Sequence, residues 1–264
     1  MRFSVVTVTR NAAMVLLGTM DSLAAQRCVD LEWLVQDGAS SDTTIACVNA
    51  HTASGLNLSL RSEPDTGIYD GMNRAIARAR GDWLFFLNAG DAFADAGVLE
   101  DVAHAADAGN AELIVGEVLM TGGAVCLHRS YAHLGPTRLL FDSLCHQAVF
   151  ARRSLFERFG SFDTTLRYAA DYDWLLRTLR SGARVEFLPR VVARFDLRGA
   201  HMQAAGRTRA ENELVRRRHA SSLTLALGRA WYHNSYRMRR MLGLEAVGRS
   251  TLGDVGTERP AARR

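Results

Sequence analysis

Short apolar runs alternate with segments of helical spacing along the first half of the chain. Residues 3–8 and 31–35 are β-branched or apolar almost without interruption, and residues 57–61 alternate more weakly, which is typical of sheet strands. After the first run, apolar residues recur at helical spacing, at Leu16, Leu17, Met20 and Leu23. Another helix is predicted around residues 96–106, followed by a strand at 113–118. This order predicts an α/β fold with a doubly wound, mostly parallel sheet.

The apolar run at residues 83–87 lies between Gly-Asp and Asn-Ala-Gly-Asp. Such a run indicates a strand buried on both faces. Ligands of open α/β sheets bind outside the carboxyl ends of the strands, so Asn88 and Asp91 are predicted to lie at the mouth of a site. The alternative is a polar turn in which Asp91 caps a following helix.

The second half of the chain has a more mixed pattern. Residues 145–151 are predicted as a strand and residues 171–179 as a short helix. Residues 185–188 and 191–195 are predicted as two short strands, and from residue 208 onward the chain is predicted as helix.

Domain limits follow from where this pattern changes. Residues 1–206 are predicted as one domain, with a first half at about 1–118 and a second half at about 119–206. Residues 207–248 are predicted as a basic helical extension, and residues 249–264 as a disordered tail. Extension and tail together hold 13 Arg and five acidic residues, whereas the rest of the chain holds 19 Arg and 23 acidic residues. The two parts are therefore expected to have different partners.

Composition excludes several classes of protein. No apolar segment reaches the roughly 18 to 20 residues that span a bilayer, and the N-terminus lacks the pattern of a signal peptide, so we expect a cytoplasmic location. The four cysteines lie far apart without a CxxC pair, which argues against a zinc ribbon or a disulfide framework. The first strand is not followed by GxGxxG, so a dinucleotide site lacks support. No helix-turn-helix, zinc or aromatic-basic pattern supports nucleic-acid binding.

Five stretches together resemble the inverting glycosyltransferases of family 2, which have the GT-A fold. These stretches are VVTVTRN (5–11), VQDGASSDTT (35–44), SEPDTGIYDGMNRAIARARGDWLFFLNAGD (62–91), CHQAVFARRSLFERFGSFD (145–163) and AADYDW (169–174). They follow one another in the family's order over residues 3–200, and they are most similar to the branch that builds bacterial surface polysaccharides and glycolipids. The resemblance implies a nucleotide-sugar half followed by an acceptor half. It also implies metal-dependent transfer of a hexose from a UDP- or GDP-type sugar to a glycan or lipid-linked acceptor.

The resemblance also assigns residues to the donor side, namely Thr7, Thr9, Asp37, Asp65, Arg74 and Asn88. Asp37 matches the family's Asp that accepts hydrogen bonds from a uracil-type base or ribose, whereas Arg74 could equally be a solvated helix residue. Residues 88–91 stand where the family has its DxD motif, so Asp91 matches the carboxylate that binds Mg²⁺ or Mn²⁺ beside diphosphate oxygens. Asn88 replaces the first Asp, and this uncharged ligand is expected to weaken the metal site.

The same resemblance assigns a catalytic residue and two residues of the acceptor side. Asp171 matches the general base, although Ala170 stands where a Glu is usual. Asp173 would point about 200° away on a helix, which favours a separate role as an N-terminal helix charge. His146 and Gln147 match a pair near the sugar or acceptor, although a lone His is more often packed than functional.

Other interpretations remain open at this stage. Asn88 and Ala170 are the only support for a catalytically impaired protein that binds nucleotide sugars. His201 follows a turn resembling the family's Phe-x-x-Gly-Gly and could contact diphosphate or metal, or lie in its loop by chance. In the Arg-rich extension, apolar residues with Trp231 and Tyr232 favour peripheral attachment to the inner face of the plasma membrane. The alternative is a helix packed on its own domain.

Overall fold

The computed structural model describes residues 2–27, 30–51, 55–122, 125–132, 134–135, 137–142, 144–197, 205–228 and 230. Within these residues, one sheet contains the strands β1 Phe3–Thr9, β2 Leu31–Asp37, β3 Leu58–Ser62, β4 Trp83–Phe86, β5 Ala92–Phe93, β6 Leu113–Gly122, β7 Val125–Arg129, β8 Val149–Arg152 and β9 Val185–Asp196. The helices are α1 Ala13–Ala24, α2 Thr44–Ala50, α3 Ile68–Ile76, α4 Val98–Ala108, α5 Arg153–Phe159, α6 Ala170–Arg180 and α7 Ala205–His219. Residues 222–228 are also helical.

The sheet has a parallel half and a mixed half. Strands β3, β2, β1 and β4 lie side by side in this order and run parallel. Strand β8 then pairs antiparallel with both β4 and β6, whereas β6 and β9 are parallel. The carboxyl ends of parallel strands share one edge, so the loops after β1, β2 and β4 meet there. This architecture confirms the predicted α/β sheet.

The core explains why the parallel strands form. Every residue of β1 and β2 is buried, and Trp33 and Trp83 are at most 1% exposed. The ring of Phe85 stacks on Phe150 at 4.1 Å and on Phe93 at 5.1 Å, which joins β4 to β8 and β5. Each such side chain contributes roughly 1.5–3 kcal/mol when it is fully buried. Strand β4, which leads to Asn88, is therefore held in place from both sides.

Three local predictions were wrong. Residues 145–151 are not one strand, because a 3₁₀ turn at His146–Ala148 precedes β8. The two short strands predicted after residue 184 form the single strand β9. This strand pairs with β6 in a register that shifts along its length. Leu17 is 56% exposed, because the buried face of α1 is already filled by Leu16, Met20 and Leu23.

Helix α7 packs against α6 rather than standing apart from the domain. Glu211 accepts hydrogen bonds from three successive backbone N–H groups just before α6, those of Arg167 at 3.0 Å, Tyr168 at 2.7 Å and Ala169 at 3.1 Å. The imidazole Nε2 of His219 lies 3.0 Å from Asp173 Oδ1. The packed-helix alternative therefore describes α7.

The remaining predictions for the C-terminal segment lie outside the described residues. They concern Trp231, Tyr232, the end of the extension and the tail at 249–264. None of the helices in the described part of the chain is long and apolar enough to cross a bilayer.

Candidate active site

The loop after β4 forms the centre of the site. Gly90 has a φ of 96°, a left-handed conformation that glycine adopts without strain. Thr19 of α1 holds this loop, because its hydroxyl donates to the carbonyl of Asp91 at 2.7 Å and lies 3.0 Å from the N–H of Gly90. Residues 92–93 form a strand rather than a helix, so the helix-cap alternative for Asp91 is wrong.

Asp91 is an almost fully buried carboxylate with a single side-chain donor. It is 5% exposed, and its Oδ2 accepts a hydrogen bond from Gln147 Nε2 at 3.0 Å. Burial raises the pKa of Asp91 to about 6, although the Gln147 amide and the nearby His146 act against this. A carboxylate in this environment is stabilised by a cation.

Asp171, in the first turn of α6, lies on the other side of this loop. Its Oδ1 accepts hydrogen bonds from Tyr69 Oη at 2.8 Å and from the backbone N–H of Tyr172 at 2.9 Å. Its Oδ2 lies 3.1 Å from His146 Nδ1. Burial raises the pKa of Asp171, but the hydrogen bonds from His146 and Tyr69 outweigh burial and hold the pKa below its usual range. Asp171 is therefore ionised at neutral pH.

His146 joins Asp171 to the loop after β4. Its Nε2 lies 3.0 Å from the amide nitrogen of Asn88, while its Nδ1 faces Asp171. The amide oxygen of Asn88 is buried and has no hydrogen-bond partner among the described residues. Asp173 points elsewhere and pairs with His219 and Arg177, which explains why two carboxylates two residues apart have different surroundings.

The end of β2 forms another wall of the candidate site, at the same edge of the sheet and two strands from β4. Asp37 is fully buried and accepts hydrogen bonds from Ser40 N–H at 2.8 Å and Ser62 Oγ at 2.7 Å. Beside it, Thr9 Oγ1 is buried without a partner in the described structure. The buried hydroxyl of Thr7 donates to the Leu87 carbonyl at 2.8 Å and accepts from the Trp33 indole N–H at 2.9 Å. Its hydroxyl is thus already paired within the protein, and its role on the donor side stays a prediction.

Asp65 closes this side of the site. A Cβ on Gly38 would lie only 2.6 Å from Asp65 Oδ2, so a side chain at position 38 would displace this carboxylate. Burial is the main cause that raises the pKa of Asp65. Arg74 forms ion pairs with Asp70 at 3.0 Å and Glu63 at 3.3 Å. The charge of Arg74 is therefore already paired within the protein, and its role on the donor side stays a prediction.

The described residues offer few candidate metal ligands. Among the described residues, no group of three or more His, Cys, Asp or Glu could hold an ion. Magnesium sites for phosphate substrates need only one or two carboxylates, because phosphate oxygens and water complete the shell. The buried Asp91 carboxylate and the unpaired Asn88 oxygen fit that smaller requirement. His201 lies outside the described residues.

Sequence reasoning missed three supporting groups. Tyr69 lies within a stretch that resembles family 2, but nothing in that stretch shows which distant carboxylate its phenol meets. Thr19 is on the buried side of α1, where a hydroxyl among apolar residues was a usable signal. The serines that hold Asp37 lie in turns, and only the folded chain places Ser62 beside it.

Comparison with known proteins identifies the family. The sequence profile of "Glycosyl transferase family 2" matches residues 4–150, more than half of the chain. A "PGL/p-HBAD biosynthesis glycosyltransferase" of Mycobacterium bovis is 36% identical over 204 residues, covering 74% of this chain and 76% of the relative, and its Mycobacterium tuberculosis counterpart matches equally.

Solved structures agree on the fold. Staphylococcus aureus TarS 1-349 superposes with a TM-score of 0.67 at 20% identity, covering 74% of this chain and 60% of that structure. The mannosyltransferase PcManGT from Pyrobaculum calidifontis, solved with GDP-Man and Mn²⁺, has a TM-score of 0.65 at 19% identity, covering 81% and 62%. The chain thus spans about 60% of the length of these structures. The likeness confirms the GT-A fold. The profile match and the curated relatives carry the conclusion further: the chain is a glycosyltransferase and belongs to glycosyl transferase family 2.

Proposed function

We propose that this protein transfers a hexose from a nucleotide-diphosphate sugar to an acceptor hydroxyl with inversion at the anomeric carbon. The observation that carries the proposal is the ionised Asp171 carboxylate, held by Tyr69 and His146 beside the loop of Asn88. A general base must be placed within reach of the proton that it removes before its pKa matters. Asp171 meets the requirement of a fixed, charged base.

The proposed reaction needs one proton acceptor and one leaving group. Asp171 takes the proton of the acceptor hydroxyl while the hydroxyl oxygen forms a bond to the anomeric carbon. The bond from that carbon to the nucleoside diphosphate breaks, and the electron pair leaves with the diphosphate. Attack from the face opposite the leaving group inverts the configuration.

We assign the donor side to Thr9, Asp37, Asp65, Arg74 and Asn88. Support comes from the buried Thr9 hydroxyl, which lacks a partner in the described structure, and from Asp37 and Asp65 on one wall. Asp91, with the amide oxygen of Asn88, would hold Mg²⁺ or Mn²⁺, which neutralises diphosphate charge when bound. Related folds were solved with UDP-GlcNAc and with GDP-Man and Mn²⁺, which supports a UDP- or GDP-type donor.

We propose a glycan or lipid-linked acceptor, contacted on the side of His146. The curated relatives are named for PGL/p-HBAD biosynthesis, which supports an acceptor of the glycolipid class. Leu223 and Leu227, on helical residues 222–228, are 69% and 63% exposed. An exposed apolar edge that directly follows the Arg-rich helix α7 supports peripheral contact with an anionic membrane.

The base assignment is tested with Asp171→Asn, with Asp173→Asn as the matched control on the same helix. Nucleotide release from UDP-GlcNAc, UDP-glucose and GDP-mannose is measured with water or a supplied glycan as acceptor. Loss of base assistance should lower turnover by about 10² to 10⁴-fold, whereas the control should keep its turnover. If Asp171→Asn keeps more than about a tenth of wild-type turnover, the assignment fails.

The membrane contact is tested with the double variant Leu223→Ser, Leu227→Ser. A truncation after Gly206 is unsuitable, because it also removes Glu211 from the start of α6. Co-sedimentation with phosphatidylglycerol vesicles at low salt should fall for the double variant relative to the full-length protein. Equal sedimentation of both proteins contradicts the proposed contact.

A further inference from the structure

We infer that Tyr69 is a positioning residue that holds Asp171 as the base, an inference that rests on the proposed function. Tyr69 is the second residue of α3 and is 7% exposed. Its phenol donates to Asp171 Oδ1 at 2.8 Å, across a separation of 102 residues in the chain. Its ring also packs at 5.5 Å against Phe162, so neither end of the side chain is free to turn.

The hydrogen bonds around Asp171 distinguish its two oxygens. A carboxylate offers about four lone-pair positions, two on each oxygen. Both positions of Oδ1 are used, by Tyr69 Oη and by the backbone N–H of Tyr172. Among the described residues, His146 alone meets Oδ2, so one position of this oxygen is left for the acceptor proton. Tyr69 thereby directs proton transfer to Oδ2.

Tyr69 is also a permanent donor. Burial, and then the adjacent charge of Asp171, raise the pKa of the Tyr69 phenol well above its usual value. The phenol therefore keeps its proton throughout the neutral range. A donor to the ionised form of a carboxylate favours that form and opposes the effect of burial.

Other groups around Asp171 do not replace this donor. His146 faces it from the 3₁₀ turn, the thiol of Cys145 lies nearby, and Glu211 of α7 acts on the phenol of Tyr69 by its charge. The cavity that Asp171 lines is otherwise mostly apolar, and its Phe86, Phe156, Phe162 and Trp174 side chains offer the carboxylate no hydrogen bond. Without the Tyr69 phenol, one hydrogen bond fewer opposes the effect of burial on the pKa of Asp171.

The test compares Tyr69→Phe with Tyr172→Phe. The control removes a buried phenol of the same kind, which donates to the Leu139 carbonyl at 2.8 Å and does not touch the Asp171 carboxylate. Protein labelled with ¹³C at the Asp carboxyl carbons is titrated by NMR, and the Asp171 resonance is identified by its loss in Asp171→Asn. We expect the Asp171 pKa to rise by about one unit in Tyr69→Phe, and to stay unchanged in the control.

Turnover should follow the same shift. Because the base must be ionised, the acid limb of the pH profile of turnover should move to higher pH by about one unit in Tyr69→Phe. The variant should therefore lose more turnover at low pH than at high pH. An unmoved Asp171 resonance in Tyr69→Phe, or an equal shift in Tyr172→Phe, overturns the inference. An active Asp171→Asn variant overturns the proposed base instead, so the two failures are distinguishable.

Discussion

Replacing Glu211 with Ala should destabilise the helix that carries Asp171, although Glu211 lies 40 residues further along the chain. The substitution removes the acceptor of three backbone N–H groups that precede α6. Ala169, the residue before α6, has no side chain that could replace this cap. The Glu211→Ala substitution also removes a negative charge that stabilises the N-terminal end of α6.

The magnitude follows from the cap geometry. Hydrogen bonds to a charged group contribute about 1.5–3 kcal/mol each when fully desolvated, but this carboxylate is only half-buried, so water partly replaces it. We therefore expect a loss of about 2 kcal/mol, the upper value for a helix cap. In a domain of this size, that loss lowers Tm by about 4–8 °C.

The matched control is Glu213→Ala, because Glu213 pairs with Arg216 and Arg217 on its own helix. The Glu213 side chain is 29% exposed and that of Arg217 is 71% exposed. A surface ion pair of this kind contributes about 0–1 kcal/mol, so its loss should change Tm by no more than about 2–4 °C. Thermal unfolding followed by circular dichroism gives the Tm of both variants. Glu211→Gln keeps one acceptor oxygen, so its Tm should lie between the Tm of Glu211→Ala and that of the wild type. Equal Tm values for Glu211→Ala and Glu213→Ala would refute the reasoning.

Three further predictions concern other parts of the site. Asp91→Ala should make UDP or GDP affinity independent of EDTA, whereas wild-type affinity should fall on chelation; calorimetric titration checks this, and equal wild-type affinity in both conditions contradicts the metal role. Gly38→Ala should weaken nucleotide affinity about tenfold with little change in Tm, because its Cβ would displace the Asp65 carboxylate; unchanged affinity contradicts this. Asp173→Asn should lower Tm at pH 6, and should lower it by less at pH 3.5. Burial raises the pKa of Asp173, but His219 and Arg177 hold it below its usual range, so its stabilisation is fully present above the unfolded pKa of about 3.9 and declines as the pH falls towards the folded pKa. A Tm difference that is the same at both pH values contradicts the pairing.

Strand ends were predictable from the sequence, whereas contacts between halves were not. Asp37 and Asn88 follow apolar runs, and the rule that parallel strands end at one edge was enough to place them at the same edge of the sheet. The hydrogen bonds of Thr7 could not be predicted, because a strand buried on both faces has no polar alternation to indicate which residues point outward. The apolar run within residues 145–151 is too short for its pattern to distinguish a turn from a strand.

Long-range polar contacts account for the rest. Tyr69 and Glu211 act on groups far away in sequence, and no local pattern encodes such a partner. The excess of Arg after residue 206 favours a membrane role for this segment. One of its few acidic residues, Glu211, instead caps the start of α6.

The hydrogen bonds of Asp37 bear on how such enzymes change donor. Its carboxylate is satisfied by Ser40 and Ser62 within the protein, and it thereby sets the path of residues 38–41, where Ala39 has a φ of 57°. A carboxylate used in this way shapes the pocket without having to read the base itself. In the proposed donor site, substitutions in the loop are expected to alter nucleotide preference while the strand end stays intact. Libraries intended to change the donor should therefore vary residues 39 and 41 and keep Asp37, Ser40 and Ser62 constant.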